Sequence, residues 1–125
     1  MSALDFTGKS VLVTGGGVGI GRGIVDAFAA AGATLFIAEI DTERAATVQA
    51  AHPSAIVITC DVLDRATPAL LADVVEKQAG KLDVLINNVG IGGGGDGPAH
   101  VADEAAFDRI MSVNLKGAWL TIKAA

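Results

Sequence analysis

The 125-residue sequence contains no tyrosine, a single cysteine, three prolines and one tryptophan. The lone cysteine, Cys60, excludes an internal disulfide and a thiolate metal site made by this chain alone. We expect Cys60 to pack as a small apolar residue at a strand end. His52 and His100 lie far apart in polar segments, so we expect two surface imidazoles and no metal site.

Long hydrophobic runs and clusters of positive charge are also missing. No apolar run reaches the roughly 18 residues needed to cross a bilayer, and the N-terminus lacks the basic-then-apolar pattern of a signal peptide. The net charge is −5 and Lys and Arg are scattered, which gives a nucleic-acid backbone little to bind. We therefore expect a soluble cytoplasmic protein that binds neither membranes nor nucleic acids.

About half of the residues are apolar, and apolar runs alternate with helical repeats between glycine turns. This pattern predicts one α/β domain over residues 1–125, with a Rossmann-like, doubly wound parallel sheet in the strand order 3-2-1-4. The four predicted strands are 11–13, 34–38, 55–59 and 82–86. The glycine-rich segment 91–98 predicts a flexible loop, and Asp103 can cap a long final helix whose apolar stripe includes Trp119.

The stretch 10–31 organises the rest of the chain, because it reads as a strand, a glycine loop and an amphipathic helix. Gly15 can allow the tight exit from the strand, and Gly19 can let phosphates approach the backbone. Gly21 or Gly23 can let the helix lie close to the sheet. Ile20 is expected in the buried stripe of this helix, together with Val25 and its neighbours. Neither the G-x-G-x-x-G fingerprint nor a Walker A loop fits this segment.

The segment Thr14-Gly15-x-x-x-Gly19-x-Gly21 resembles the T-G-x-x-x-G-x-G loop of the short-chain dehydrogenase/reductase family. Three further segments resemble motifs of that family in the same order: Asp61-Val62, Asn87-Asn88-Val89-Gly90 and Asn114 within V-N-L-K-G. The resemblance implies the following cofactor-binding residues: Thr14, Gly15, Gly17, Gly19, Ile20, Gly21, Asp61, Val62, Asn88 and Gly90. It also implies that Asn87 ties strands together and that Asn114 belongs to the catalytic set.

Glu39 lies at the carboxyl end of the predicted second strand, 18 residues after Gly21. An acidic residue at this place in a dinucleotide fold accepts hydrogen bonds from the adenosine ribose. A 2′-phosphate would face the carboxylate, so we expect NAD as cofactor and NADP to bind less well. The neighbouring Asp41 is the alternative ribose ligand.

The resemblance covers about the first half of such an enzyme. In the family, a Tyr and a Lys four residues later handle the proton while hydride is transferred between an alcohol and a ketone. This sequence has no tyrosine, and Ser112 does not match the family's catalytic Ser. We therefore expect the cofactor-binding half of an NAD-dependent oxidoreductase, truncated, inactive alone and homo-oligomeric when whole. Two alternatives are a non-enzymatic nucleotide-binding or interaction module and an S-adenosylmethionine-dependent methyltransferase-like fold.

Overall fold

The computed structural model describes residues 4–125, so the first three residues of the predicted domain lie outside it. Within these described residues, four strands and five α-helices follow one another, and a π-helix joins the last two helices. The elements are β1 Ser10–Thr14, α1 Gly19–Ala30, β2 Thr34–Glu39, α2 Thr42–Ala51, β3 Ile56–Thr59, α3 Thr67–Ala79, β4 Val84–Ile86, α4 Glu104–Met111, the π-helix Ser112–Gly117 and α5 Ala118–Ala124. All strand pairs are parallel in the order β3-β2-β1-β4, which confirms the predicted topology.

The two central strands, β1 and β2, are buried on both faces of the sheet. Successive side chains of a strand point to opposite faces, so each central strand feeds two cores. On one face Val11 and Ile37 pack with residues of α1 and α2, and on the other Leu12 and Phe36 pack with Leu71 of α3. Complete burial of such side chains contributes about 1.5–3 kcal/mol each. Helices on both faces confirm the doubly wound architecture.

The helix boundaries mostly follow the sequence signals. Asp41 caps α2 by accepting a hydrogen bond from the Arg44 N–H at 2.9 Å. Gly80 ends α3 in the left-handed conformation at φ 77°. Thr67 is the first residue of α3, and its hydroxyl donates to the Asp61 carbonyl at 2.6 Å.

Ile20 does not join the core, contrary to the prediction. It is 79% exposed, whereas Val25 is completely buried. The buried residue of the first turn of α1 is Gly21, which packs against the end of β1, so the neighbouring Ile20 faces away from the sheet. The spacing of apolar residues along a helix does not by itself show which of its turns contact the sheet.

His52 is not the free surface imidazole that the sequence predicts, although His100 is exposed as expected. His52 follows α2, and its Nε2 lies 2.6 Å from Asp26 Oδ1 on α1. This hydrogen bond, together with one from Arg22, lowers the pKa of the Asp26 carboxyl. The contact links α1 to the end of α2.

The final helix is interrupted by the π-helix, which the sequence did not predict. Asp103 caps α4 as expected, with Oδ1 accepting from the Ala105 N–H at 3.3 Å. The apolar stripe that includes Trp119 is exposed, while Val113 and Thr121 are buried on the opposite side. Within residues 4–125, no helix is long and apolar enough to cross a membrane.

The close approach of α1 to the end of β1 generates a first prediction. A Cβ at Gly21 would collide with the Gly15 carbonyl oxygen and lie 2.5 Å from Asn88 Nδ2, whereas a Cβ at Gly23 meets nothing within 4 Å. We expect Gly21→Ala to destabilise the fold by about 1–3 kcal/mol through overpacking. Gly23→Ala is expected to stabilise it by about 0.5–1 kcal/mol through helix propensity.

The midpoint of urea unfolding, monitored by circular dichroism, is measured for both variants and for the unsubstituted chain. Equal shifts of the two midpoints in the same direction would contradict the packing role given to Gly21.

Candidate functional site

A cavity of about 420 Å³ lies at the carboxyl ends of the strands. Ligands of open α/β sheets bind at this edge, where neighbouring connections diverge. Six of the residues implicated by the sequence line the cavity: Gly15, Glu39, Asp61, Val62, Asn88 and Gly90. Half of the twelve site residues predicted from the sequence therefore lie around one cavity.

The glycine loop between β1 and α1 has the backbone conformation that its sequence predicts. Gly15 and Gly19 have φ values of 67° and 60°, which side-chain-bearing residues rarely adopt. The Gly15 N–H donates to the Ala38 carbonyl at 2.7 Å, so the loop starts anchored to β2. No side chain caps α1 at Val18, which leaves N–H groups of the first turn available to an anion. A Cβ at Gly19 meets nothing within 4 Å, so the surface there is open.

Thr14 and Asn88 tie β1 to the segment that follows β4. The Thr14 hydroxyl accepts hydrogen bonds from the N–H groups of Asn88 at 3.1 Å and Val89 at 3.4 Å. Asn88 Nδ2 donates to the Gly15 carbonyl at 3.1 Å. Thr14 is almost completely buried, so its side chain serves the scaffold under the loop.

The role expected of Asn87 belongs to its neighbour. Asn87 Nδ2 donates to the Ala118 carbonyl of α5 at 3.4 Å, and within residues 4–125 its side chain makes no hydrogen bond to β1. Adjacent side chains of an extended segment point in opposite directions, so only Asn88 can reach β1. The prediction that Asn87 ties the strands together is therefore wrong.

Glu39 ends β2 inside the cavity wall and is only 4% exposed. Its Oε1 accepts a hydrogen bond from the Gly17 N–H at 2.9 Å, and its Oε2 accepts one from the Asp41 N–H at 3.1 Å. The Asp41 carboxylate caps α2, which leaves Glu39 as the acidic group on the cavity wall at this strand end.

Asp61 and Val62 follow β3 and form the far wall of the cavity. Asp61 is exposed, and its Oδ1 accepts from the Leu63 N–H at 2.9 Å. Val62 is buried. Exposed apolar side chains that the sequence analysis did not single out complete the cavity: Val18, Ile40, Leu63 and Ile91. Each of these residues lies in a connection that follows a strand at the carboxyl edge of the sheet. Their position after a predicted strand is the sequence signal that could have identified them.

Cys60 is half-buried at the end of β3, as predicted, and also lines the cavity. Burial raises the pKa of the Cys60 thiol, and the negative charges of Asp61 and Glu39 raise it further. A raised pKa leaves less thiolate at neutral pH, so this cysteine is poorly suited to nucleophilic chemistry.

Asn114 lies in the π-helix and holds the chain beyond β4. Its Oδ1 accepts from the Ile91 N–H at 2.7 Å, and its Nδ2 donates to the Ile91 carbonyl at 2.9 Å. A Cβ at Gly90 would lie 3.6 Å from Asn114 Oδ1, which is an ordinary van der Waals contact, so this approach does not require glycine. Asn114 does not line the cavity, but it fixes the backbone of Ile91, which does.

The glycine-rich loop 91–98 is held at its middle by α4. Arg109 donates to the Gly94 carbonyl at 3.0 Å, and the Asp103 N–H donates to the Gly95 carbonyl at 2.9 Å. These two hydrogen bonds hold Gly94 and Gly95 against α4. The flexibility of the rest of the loop stays a prediction.

Residues 9–125 match the family model described as short chain dehydrogenase. The chain is 38% identical to galactitol 2-dehydrogenase of Agrobacterium fabrum, covering 93% of this chain and 45% of that protein. It is 33% identical to L-fucose dehydrogenase of Bos taurus, covering 96% and 44%. The chain therefore belongs to the short-chain dehydrogenase family of oxidoreductases, and it spans less than half the length of these two relatives.

Solved structures agree with this assignment. A short-chain dehydrogenase/reductase described as glucose/ribitol dehydrogenase, from Brucella melitensis, superposes with a TM-score of 0.89 at 26% identity, covering 99% of this chain and 53% of that one. A 3-ketoacyl-(acyl-carrier-protein) reductase from the same organism, complexed with NADH, superposes with a TM-score of 0.86 at 32% identity, covering 95% and 49%.

The double hydrogen bond of Asn114 generates a second prediction. We expect Asn114→Ala to accelerate amide exchange at Ile91 by about tenfold or more, because each lost hydrogen bond is worth about 0.5–1.5 kcal/mol. Ser112→Ala in the same π-helix is the control, since the Ser112 hydroxyl makes no hydrogen bond to a described residue. Unchanged exchange at Ile91 in the Asn114 variant would refute the clamp.

Proposed function

We propose that this chain is the NAD-binding half of an oxidoreductase that interconverts an alcohol and a ketone. The observation that carries the proposal is the cavity at the carboxyl edge of the sheet, with the glycine loop on one side and Glu39 in its wall. Membership of the short-chain dehydrogenase family and the likeness to a structure complexed with NADH support it.

The residues present fit a dinucleotide. The uncapped first turn of α1 suits the pyrophosphate, because its N–H groups and the helix dipole favour negative charge. The open surface at Gly19 lets phosphates approach the backbone. The apolar wall formed by Ile40, Val62 and Leu63 suits the faces of an adenine ring, and the exposed Asp61 carboxylate can accept from its amino group.

The preference for NAD over NADP is proposed from the charges on the wall. The Glu39 carboxylate can accept from ribose hydroxyls and repels a 2′-phosphate. Arg44 is the one positively charged side chain that the structure places in this wall, and it is exposed. The positive charge of Arg44 favours a 2′-phosphate and so opposes the effect of Glu39. The preference between NAD and NADP depends on the balance of these two charges.

When bound, the nicotinamide accepts or donates the hydride of the proposed reaction. This chain's own residues position that reaction: Asn114 holds the backbone of Ile91, and Asn88 holds the exit of β1. A Tyr-x-x-x-Lys pair cannot form within these 125 residues, because they contain no tyrosine. We propose that the 125 residues bind the cofactor without turning over substrate.

A homo-oligomer is proposed for the whole enzyme. The exposed apolar side chains of α4, the π-helix and α5 support it: Phe107, Met111, Leu115, Trp119 and Ile122. Exposed apolar side chains that cluster on one face are typical of an interaction surface.

Titration of the chain with NAD and NADP, followed by calorimetry, tests the charge balance. We expect Glu39→Ala to lower the ratio of the NADP to the NAD dissociation constant, and Arg44→Gln to raise it. Each tenfold change in the ratio corresponds to about 1.4 kcal/mol. An unchanged ratio in both variants would remove these residues from cofactor selection.

Gly19 tests where the phosphates bind. We expect Gly19→Val to weaken NAD binding by at least about tenfold, because a β-branched residue is strained at φ 60° and fills the open surface. Gly23→Val is the matched control in the same helix, since a Cβ there meets nothing within 4 Å. Circular dichroism verifies that both variants are folded, and full NAD affinity in the Gly19 variant would place the phosphates elsewhere.

A further inference from the structure

We propose that Glu39 is a positioning residue for the glycine loop, in addition to the ribose contact on which the proposed function relies. In this role its carboxylate fixes the middle of the loop before a nucleotide arrives. This inference rests on the proposed function, because it concerns the same site, and the contacts that Glu39 makes within the chain carry it.

The contact joins two connections that are distant in sequence. Glu39 Oε1 accepts the Gly17 N–H at 2.9 Å across 22 residues, and the hydrogen bond is buried. Oε2 accepts the Asp41 N–H at 3.1 Å. One carboxylate therefore links the β1–α1 loop to the β2–α2 connection, and each of its oxygens already has a backbone donor.

The packing around Gly17 shows that the loop rests directly on this side chain. A Cβ at Gly17 would lie 2.5 Å from Glu39 Oε1 and 2.9 Å from Arg44 Cβ. The start of the loop is anchored separately, by the hydrogen bond from the Gly15 N–H to the Ala38 carbonyl. Gly15 and Gly17 thus attach the loop to β2 at two successive points, and Glu39 supplies the second.

Two roles of Glu39 make different predictions for a nucleotide without ribose hydroxyls. If Glu39 only reads the ribose, its loss leaves the affinity for such a nucleotide unchanged. If Glu39 also holds the loop, its loss weakens the binding of any ligand that places phosphates on the loop. Preorganised hydrogen-bond donors improve affinity because less ordering is needed when the ligand binds.

Glu39→Ala separates the two roles. Alanine has no acceptor atom in its side chain, so neither the Gly17 N–H nor the Asp41 N–H keeps its hydrogen bond. Glu43→Ala is the matched control, because Glu43 is an exposed carboxylate in the first turn of α2. The readouts are the amide exchange rate of Gly17 in the nucleotide-free chain and the dissociation constants of ADP and 2′,3′-dideoxy-ADP.

We expect Glu39→Ala to accelerate Gly17 exchange by about tenfold and to weaken the binding of dideoxy-ADP by a similar factor, since hydrogen bonds to charged groups are stronger than neutral ones. Exchange at Val13, in the core of β1, should stay unchanged, which distinguishes release of the loop from general destabilisation. ADP should lose more affinity than dideoxy-ADP, because it also loses the ribose contact. Unchanged Gly17 exchange, or dideoxy-ADP affinity equal to that of the parent chain, would overturn the proposal.

A second variant covers the case in which Glu39→Ala does not fold. Glu39→Asp keeps the charge but shortens the side chain by one methylene, and we expect it too to accelerate Gly17 exchange. If the unmodified chain binds neither nucleotide, the proposed function fails, whereas Gly17 exchange still decides whether Glu39 holds the loop.

Discussion

The close approach of α1 to the end of β1 is the constraint on which the other features depend. Gly21 lies so near the Gly15 carbonyl and Asn88 Nδ2 that a side chain of any size is excluded there. This approach brings the first turn of α1, with its uncapped N–H groups, to the carboxyl edge of the sheet. It also leaves Asn88 in reach of the Gly15 carbonyl, so the exit of β1 and the segment after β4 are fixed together.

The polar side chains of the candidate site mainly form hydrogen bonds to backbone groups of the loops around it. Glu39 holds Gly17, Thr14 holds Asn88, and Asn114 holds Ile91 through two hydrogen bonds. In each case a polar side chain satisfies backbone groups that the loops would otherwise leave unpaired, which lowers the cost of keeping irregular chain at a sheet edge. Ligand-facing surface is then supplied by glycines and by exposed apolar residues.

The sequence predicts the strand order and the location of the site. Apolar runs that alternate with helical repeats mark the strands and helices, and the glycine spacing marks the loop after the first strand. The sequence could not predict that Ile20 is exposed, since helical periodicity does not locate the sheet relative to the helix axis. It assigned the strand tie to Asn87 instead of Asn88, because the direction of each side chain depends on how the chain leaves β4. The π-helix around Asn114 and the burial of Glu39 arise from tertiary contacts that no local pattern records.

Backbone chemical-shift changes in the 15N-labelled chain during titration with NAD test the central claim most directly, since they locate the ligand without requiring turnover. We expect the largest changes in the amides of residues 15–21, with further changes at Ile40, in residues 61–63 and in residues 88–91. These segments line the cavity or form its glycine loop. Changes confined to the exposed face of α4 and α5, or no changes at saturating NAD, would contradict the assignment of this edge as a dinucleotide site.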